Sequence, residues 1–256
     1  IPRFCPYRAP LFSVICENGR KNLPAKFETK TFLTSITIVK SFLFFCLLIL
    51  FAIPVFAQPG DFRMARVKYS GGSDWYNDQS ADINLLKFLK ANTNLKVNPE
   101  YRFADLATED IFSYPFLFMT GHGNIALTDQ EINNLRKYLE NGGFLYVDDD
   151  YGFDKGFRRE IKRVFPGQEL KEIPFNHKIY NMKYRFPDGP PKTHKHDEKP
   201  PQGFGLFIGE RMVLYYTYES NPGDGWADAD VHNDPEEKRI EALQFGTNIV
   251  LFALTQ

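Results

Sequence analysis

The stretch ALTDQEINNLRKYLENGGFLYVDDDYG, residues 126–152, decides the fold because it contains one complete helix-to-strand unit. Thr128 and Glu131 have the T-x-x-E spacing of a capping box, which predicts that a helix begins at this point. Gly142 and Gly143 predict its end, because glycine readily adopts the left-handed conformation that follows a helix. The apolar run FLYV then predicts a buried strand, and three aspartates follow it.

Strands and helices alternate on both sides of this unit. The upstream segments are a strand at 65–72, a helix at 80–92, a weaker strand at 95–103 and a strand at 114–123. Downstream, Phe157, Ile161 and Val164 share one face of a predicted helix. Alternation of this kind predicts a parallel sheet covered by helices on both faces.

The second half of the chain has a different pattern. Two β-rich runs, Phe204–Ile208 and Met212–Tyr218, are separated by three residues and predict an antiparallel hairpin. Asp234 and Pro235 predict the N-cap and the first position of a last helix. The apolar stripe predicted for that helix contains Ile240, Leu243, Val250 and Leu254. We therefore expect one α/β domain over residues 58–256, a three-layer sandwich with a mainly parallel sheet and an antiparallel hairpin in its second half.

The charge and cysteine content exclude two classes of function. Residues 58–256 carry 24 Lys/Arg against 30 Asp/Glu, a net charge of −6. A domain with a net negative charge lacks the clustered positive charge that binds nucleic acid. The three cysteines, Cys5, Cys16 and Cys46, all precede this part of the chain. The predicted domain therefore has neither a disulfide nor a thiol nucleophile.

The N-terminal part of the chain has the pattern of a targeting segment. SFLFFCLLILFAIPVFA, residues 41–57, is uncharged, follows a lysine and precedes a polar stretch, which is the order found in a secretory signal. We expect a signal peptide at residues 39–57, cleavage near Ala57, and a secreted or periplasmic product. A membrane anchor retained at residues 41–57 is the alternative. Residues 1–38 are a doubtful upstream segment, because the first methionine is Met64.

Several segments resemble a known bacterial family. The stretch quoted first, together with FRREIKRVFPG, HKHDEKPPQGFGLFI and NPGDGWADADVHNDPEEKR, resembles the domain of unknown function 4159 family over about residues 65–255. The quoted stretch alone is similar to the helix-to-strand unit of class I glutamine-amidotransferase-like domains. The resemblance implies a flavodoxin-like α/β sandwich, and it implies no activity.

The chain departs from the amidotransferase-like pattern at one strand-to-helix elbow, where that superfamily carries a cysteine nucleophile. No cysteine lies in the predicted domain, and no serine or threonine lies between Asp148 and Phe153. The usual covalent route to glutamine hydrolysis is therefore excluded. A fold by itself does not assign a reaction.

The aspartates of this elbow are the first candidate site. Side chains alternate along a strand, so Asp148 and Asp150 point to one face and Asp149 to the other. Ligands of open α/β sheets bind beyond the carboxyl ends of the strands. Asp149 and Asp150 could form an acid/base pair or supply oxygen ligands to a cation. A helix N-cap with two solvated charges explains the same residues.

The segment KTHKHDEKPP, residues 192–201, contains candidate metal ligands. His194 and His196 alternate, so both rings project to one side of an extended segment, and Asp197 adjoins them. Three lysines in the same segment oppose a bound cation, and a polar surface loop is the simpler interpretation. A divalent metal is the one cofactor that the sequence indicates. No nucleotide cofactor is expected, because the Gly71-Gly72 pair lacks the G-x-G-x-x-G continuation.

Two aspartate-rich loops contain both tryptophans of the chain. SGGSDWYND, residues 70–78, carries Asp74 and Trp75. NPGDGWADADVHNDP, residues 221–235, lacks the spacing of an EF-hand and carries Asp224, Trp226, Asp228 and His232. An aromatic ring beside carboxylates can hold a polar ligand such as a sugar, whereas the alternative is that both tryptophans belong to the core. His122 closes another predicted strand and is the remaining ligand-binding candidate.

Two functions fit these features. The first is a non-catalytic ligand-binding or assembly domain of the bacterial cell envelope, indicated by the secretory signal and the missing nucleophile. The second is a metal- or carboxylate-dependent hydrolase acting on a polar, glycan-related substrate, which requires the acidic and histidine loops to converge on one ion. The expected partners are a polar small molecule, a glycan or an envelope protein. Nucleic acid is not expected, and the membrane is a partner only through an uncleaved signal segment.

Overall fold

The computed structural model describes residues 61–194 and 197–256 of the protein. The strands are β1 Met64–Lys68, β2 Phe103–Asp105, β3 Phe116–Met119, β4 Phe144–Asp148, β5 Lys171–Glu172, β6 Gln202–Ile208 and β7 Arg211–Tyr218. The helices are α1 Gln79–Asn92, α2 Asp129–Glu140, α3 Asp154–Val164, α4 Pro222–Trp226, α5 Ala229–His232 and α6 Glu236–Thr255, with 3₁₀ turns at Glu109–Ser113 and Lys178–Asn181. The predicted signal peptide, the upstream segment and His196 lie outside the described residues.

The strands form one mixed sheet in the order β2-β1-β3-β4-β7-β6-β5. Neighbours from β2 to β7 are parallel, whereas β6 and β5 run antiparallel. The predicted α/β class with an antiparallel hairpin is therefore confirmed. The strand order reverses between β1 and β3, and open sheets of this kind bind ligands beyond the carboxyl ends of their parallel strands.

Alternating side chains along the strands supply two hydrophobic cores. Leu117 and Leu145 point to the face that α2 and α3 cover. Phe118 and Tyr146 point to the opposite face, which α1 and α6 cover. Helices therefore lie on both faces of the sheet, which is the three-layer arrangement predicted from the alternating elements.

The capping box predicted for α2 is present. The Thr128 side chain accepts from the backbone N–H of Glu131, and the Glu131 carboxylate accepts from the backbone N–H of Thr128. Oε1 of Glu131 also accepts from the backbone N–H of Ser70 at 2.8 Å. The start of α2 therefore anchors the loop that follows β1, which carries part of the candidate site.

Two predicted elements differ from the structure. The second strand covers Phe103–Asp105 instead of residues 95–103, because Pro99 has no N–H for a ladder and Val97 makes only an isolated bridge to Phe62. The last helix begins at Glu236, with Pro235 at the N-cap and no capping side chain. Asp234 therefore does not cap this helix.

The apolar stripe predicted for α6 is also only partly buried. Ile240 and Leu254 are 41% and 39% exposed, because the helix packs through Phe245, Ile249 and Phe252 instead. Among the described helices, none combines the length and apolar character needed to cross a membrane.

Candidate functional site

Carboxylates and imidazoles from distant parts of the chain meet at the carboxyl edge of the sheet. Asp78 follows β1, Asp150 follows β4, and Asp224 lies in α4 just after β7. Ligand atoms of His194, Asp224 and His232 all lie within 4.8 Å of one another, and those of Asp78, Asp150 and Asp224 do the same. Asp224 therefore belongs to both groups. We call these five residues the convergent site.

The two histidines face Asp224 with different ring nitrogens. Nδ1 of His194 lies 2.7 Å from Oδ2 of Asp224, whereas Nε2 of His232 lies 3.8 Å from Oδ1. The same Nε2 lies 2.8 Å from Oδ2 of Asp78. The two imidazole rings are nearly perpendicular, with centroids 5.3 Å apart. Both rings thus direct one nitrogen toward the same carboxylate.

Asp150 is held by amide donors and by a third histidine. Nδ2 of Asn77 donates to Oδ2 of Asp150. Nδ2 of Asn221 donates to the backbone oxygen of Asp150 at 2.6 Å and to its Oδ1 at 3.2 Å. Nδ1 of His122 lies 3.1 Å from Oδ2 of Asp150 and 3.0 Å from Oδ2 of Asp74. These contacts fix a carboxyl group that is only 3% exposed.

Burial and crowding perturb the acidity of these groups. Burial, followed by the charges of Asp224 and Asp148, raises the pKa of Asp150 to about 9. Burial opposes ionisation of Asp224, yet the hydrogen bond from His194 and the charges of both histidines hold its pKa below the ordinary value. A cation placed among these groups would relieve the repulsion between the carboxylates, which is how opposite charge restores ionisation.

A buried arginine in the sheet fixes the loop that carries Asp78. Arg66 is 1% exposed and donates to the backbone oxygens of Trp75 and Asn77 at 3.2 and 3.0 Å. It also donates to the side chain of Asn77 at 2.9 Å and pairs with Asp82. Arg66 was not among the predicted site residues. The sequence does contain a sign of this role. Arg66 is a charged residue in the middle of a mostly apolar strand, and the alternation of side chains along that strand turns it toward the interior.

The backbone of these loops is unusual as well. Five of the described non-glycine residues have a left-handed φ angle. Four of them lie in these loops, namely Asp78, Glu219, Asn221 and Asn233, and the fifth is Glu198. Such conformations cost free energy and cluster at functional sites. Asp78 was missed in the sequence because an aspartate directly before a helix usually caps it. In the structure it makes no side-chain cap to α1, and its carboxylate faces His232 instead.

Three other predicted candidates lie apart from the convergent site. Oδ1 of Asp149 accepts from the backbone N–H of Phe153 at the start of α3, at 2.9 Å. The N-cap of α3 is Phe153 and no side chain caps the helix, and all three aspartates of the elbow are buried. The alternative of an N-cap with two solvated charges is therefore wrong. Oδ1 of Asp228 accepts from Asn84 at 2.8 Å, and Asp197 pairs with Lys199 at 3.1 Å.

The two tryptophans occupy different environments. Trp226 is fully buried, and its Nε1 donates to the backbone oxygen of Ala242 at 2.8 Å. That position is the core alternative, and it leaves no ring face for a ligand. Trp75 is partly buried and lies 5.6 Å, between ring centroids, from both Tyr76 and Phe103. Tyr76 and Phe103 are more than half exposed, so an aromatic surface borders the loop of Asp78.

A cleft of about 340 Å³ opens beside the convergent site. Asp150 and Asn221 line it and link it to the site. Its remaining lining residues are Asp149, Tyr151, Gly152, Asp154, Lys155, Asp197, Tyr218 and Glu219. Most of the lining residues carry a charged, amide or hydroxyl group, so the cleft can admit a polar ligand to the edge of the site.

Fold and site together define an α/β domain with a histidine- and aspartate-rich site at the carboxyl edge of a parallel sheet. The chain belongs to the DUF4159 family, described as a domain of unknown function, whose model matches residues 63–254. The family membership predicted from the sequence motifs is therefore confirmed. A comparison with curated proteins found no match.

Proposed function

We propose that this chain is a divalent-metal-binding domain whose metal centre holds a polar ligand. One observation carries the proposal: ligand atoms of His194, Asp224 and His232 lie within 4.8 Å of one another, although His194 lies 30 positions before Asp224. Two imidazoles and a carboxylate form a ligand set typical of Zn²⁺ and related first-row ions. Asp78 and Asp150 would add oxygen ligands or balance the charge of the ion.

A polar ligand would reach the ion from the neighbouring cleft. Three protein ligands leave a coordination position open, as in zinc sites that bind a substrate or water. The cleft beside Asp150 and Asn221 supports access to that position. A polar small molecule or a glycan suits its lining, and the segment at residues 41–57 supports a place in the cell envelope.

A metal-dependent hydrolase is the second candidate function. The open coordination position favours it, because a metal-bound water is a nucleophile near neutral pH. The chain then needs no thiol or hydroxyl nucleophile at the elbow of Asp148–Phe153. The strand order and the elbow also support a relationship to the class I glutamine-amidotransferase-like fold, with the covalent chemistry of that superfamily absent.

Metal titration of the full chain tests the proposal. After removal of metal with a chelator, calorimetric titration with Zn²⁺ and Mn²⁺ is expected to show saturable binding. Bound metal also raises the melting temperature, since ligand at one hundred times Kd stabilises the folded state by about 2.7 kcal/mol. His232→Ala removes a ligand and is expected to abolish tight binding, whereas Asp228→Ala, an exposed change in the same loop, leaves it intact. Absence of both binding and thermal shift in the parent chain contradicts the proposal.

A further inference from the structure

We propose that Asp234 orients His194 so that Nδ1, and not Nε2, binds the metal ion. This inference rests on the proposed function and names a positioning residue outside the convergent site. It follows from the surroundings of the two imidazole nitrogens and from the burial of the Asp234 carboxylate.

The two nitrogens of His194 face different carboxylates. Nδ1 lies 2.7 Å from Oδ2 of Asp224, on the side where the convergent site lies. Nε2 lies 3.6 Å from Oδ1 of Asp234. A metal-ligating histidine commonly donates the N–H of its other nitrogen to a carboxylate, and this contact fixes both the tautomer and the ring orientation. Asp234 occupies the position of that carboxylate.

Among the described residues, the Asp234 carboxylate is buried and neither caps a helix nor fully satisfies its oxygens. Its side chain is only 8% exposed, and its Oδ2 has no hydrogen-bond partner among the described residues. A buried carboxylate oxygen without a partner is costly. The residue precedes α6 but does not cap it, because that helix has no side-chain cap. The Asp234 carboxylate therefore faces Nε2 of His194 and does not stabilise the start of α6.

Two hydrogen bonds link the segments that carry His194 and Asp234. Nζ of Lys238, in the first turn of α6, donates to the backbone oxygens of Lys192 and Thr193, each at 3.2 Å. These bonds tie the segment that carries His194 to the helix that follows Asp234. At 3.6 Å the contact between Nε2 and Oδ1 is longer than a hydrogen bond. We expect it to shorten when Nδ1 binds the ion and the proton resides on Nε2.

Zinc affinities of four full-length chains test this role, measured by competition with a chelator. Asp234→Ala is expected to weaken binding by about 10- to 100-fold, the usual effect of removing such a carboxylate. Asp234→Asn keeps an oxygen that accepts from Nε2–H, so it should recover most of the loss. Asp228→Ala is the matched control and should bind as tightly as the parent, because its exposed carboxylate accepts from Asn84 and belongs to neither group of convergent ligand atoms among the described residues.

A second readout needs no substitution. Nitrogen-15 NMR of the zinc-loaded, histidine-labelled parent chain identifies the metal-bound nitrogen of His194, which should be Nδ1 with the proton on Nε2. Metal bound through Nε2, or unchanged zinc affinity in Asp234→Ala, overturns the inference while the proposed metal site stands. A parent chain that binds no zinc overturns both.

Discussion

Nδ1 of His194 lies 2.7 Å from Oδ2 of Asp224, although 30 positions of sequence separate the two residues. The hydrogen bond to Asp224, opposed by burial, raises the pKa of His194 above its ordinary value of 6.5. When His194 is protonated, the proton on Nδ1 occupies the place between these groups that we assign to the metal. Metal and proton compete for the same nitrogen.

This competition predicts a pH dependence of metal binding. Zinc must displace the proton of His194, so affinity is expected to fall as the pH decreases through the raised pKa, by about tenfold per pH unit for one displaced proton. Calorimetry in two buffers of different ionisation enthalpy measures the proton released per zinc bound. Affinity that stays constant from about pH 8 to about pH 6 would show that zinc displaces no proton from His194. That result would contradict the assignment of His194 as a metal ligand.

Asp150→Asn is expected to stabilise the metal-free protein. Burial raises its folded-state pKa to about 9, above the ordinary value of 3.8 for an unfolded chain. The stability that this group contributes is therefore complete below the unfolded pKa and is lost as the pH rises toward 9. Asparagine removes this cost, by roughly 1–3 kcal/mol near neutral pH. Urea unfolding at pH 5 and pH 8 checks the sign, because the gain must be larger at the higher pH. A gain that is equal at both pH values argues against a raised pKa.

Arg66→Met is expected to destabilise the fold by about 3–5 kcal/mol, because it leaves the carboxylate of Asp82 buried without its partner. The matched control is Arg102→Met, whose pair with Glu100 is exposed and contributes at most about 1 kcal/mol. Urea unfolding provides both values. Arg66 also holds the loop of Asp78, so zinc affinity should fall in the first variant only. If Arg66→Met lowers the free energy of unfolding by no more than Arg102→Met does, the buried pair of Arg66 and Asp82 does not stabilise the fold as expected.

Gly71 and Gly72 offer a test of how closely the first loop is packed. A Cβ at Gly71 would lie 1.9 Å from the backbone nitrogen of Ala126, whereas one at Gly72 would meet nothing within 4 Å. Both have positive φ, so alanine is strained at either position. The clash predicts that Gly71→Ala costs roughly 1–3 kcal/mol more than Gly72→Ala in unfolding free energy. Similar costs would mean that the loop moves away from Ala126 at little cost in free energy.

Local patterns predicted the elements, whereas the site depended on the sheet. The capping box of Thr128 and Glu131 fixed one helix end because both partners lie within four residues. The contact between Asp78 and His232 joins positions 154 residues apart. It arises because β1 and β7 end at the same edge of the sheet, and no local pattern encodes that order. Asp150, His194, Asp224 and His232 were recognised by residue type, but their grouping required the fold.

The two tryptophans show the same limit. Trp75 and Trp226 lie in similar Gly/Asp loops, and the sequence gives no reason to separate them. In the structure Trp226 packs against Phe118 and Tyr146, with centroids 5.1 and 5.7 Å away, because the short α4 directs its ring under the sheet edge. Trp226 lies in one buried helical turn instead of a loop. That local difference makes it a core residue, whereas the loop position would have exposed its ring to a ligand.

The most direct test of the metal site is zinc-edge anomalous diffraction from a crystal of the protein grown with excess Zn²⁺. The account predicts an anomalous peak about 2.0–2.2 Å from Nδ1 of His194, Nε2 of His232 and a carboxylate oxygen of Asp224. A well-ordered crystal with no peak among these three residues would contradict it.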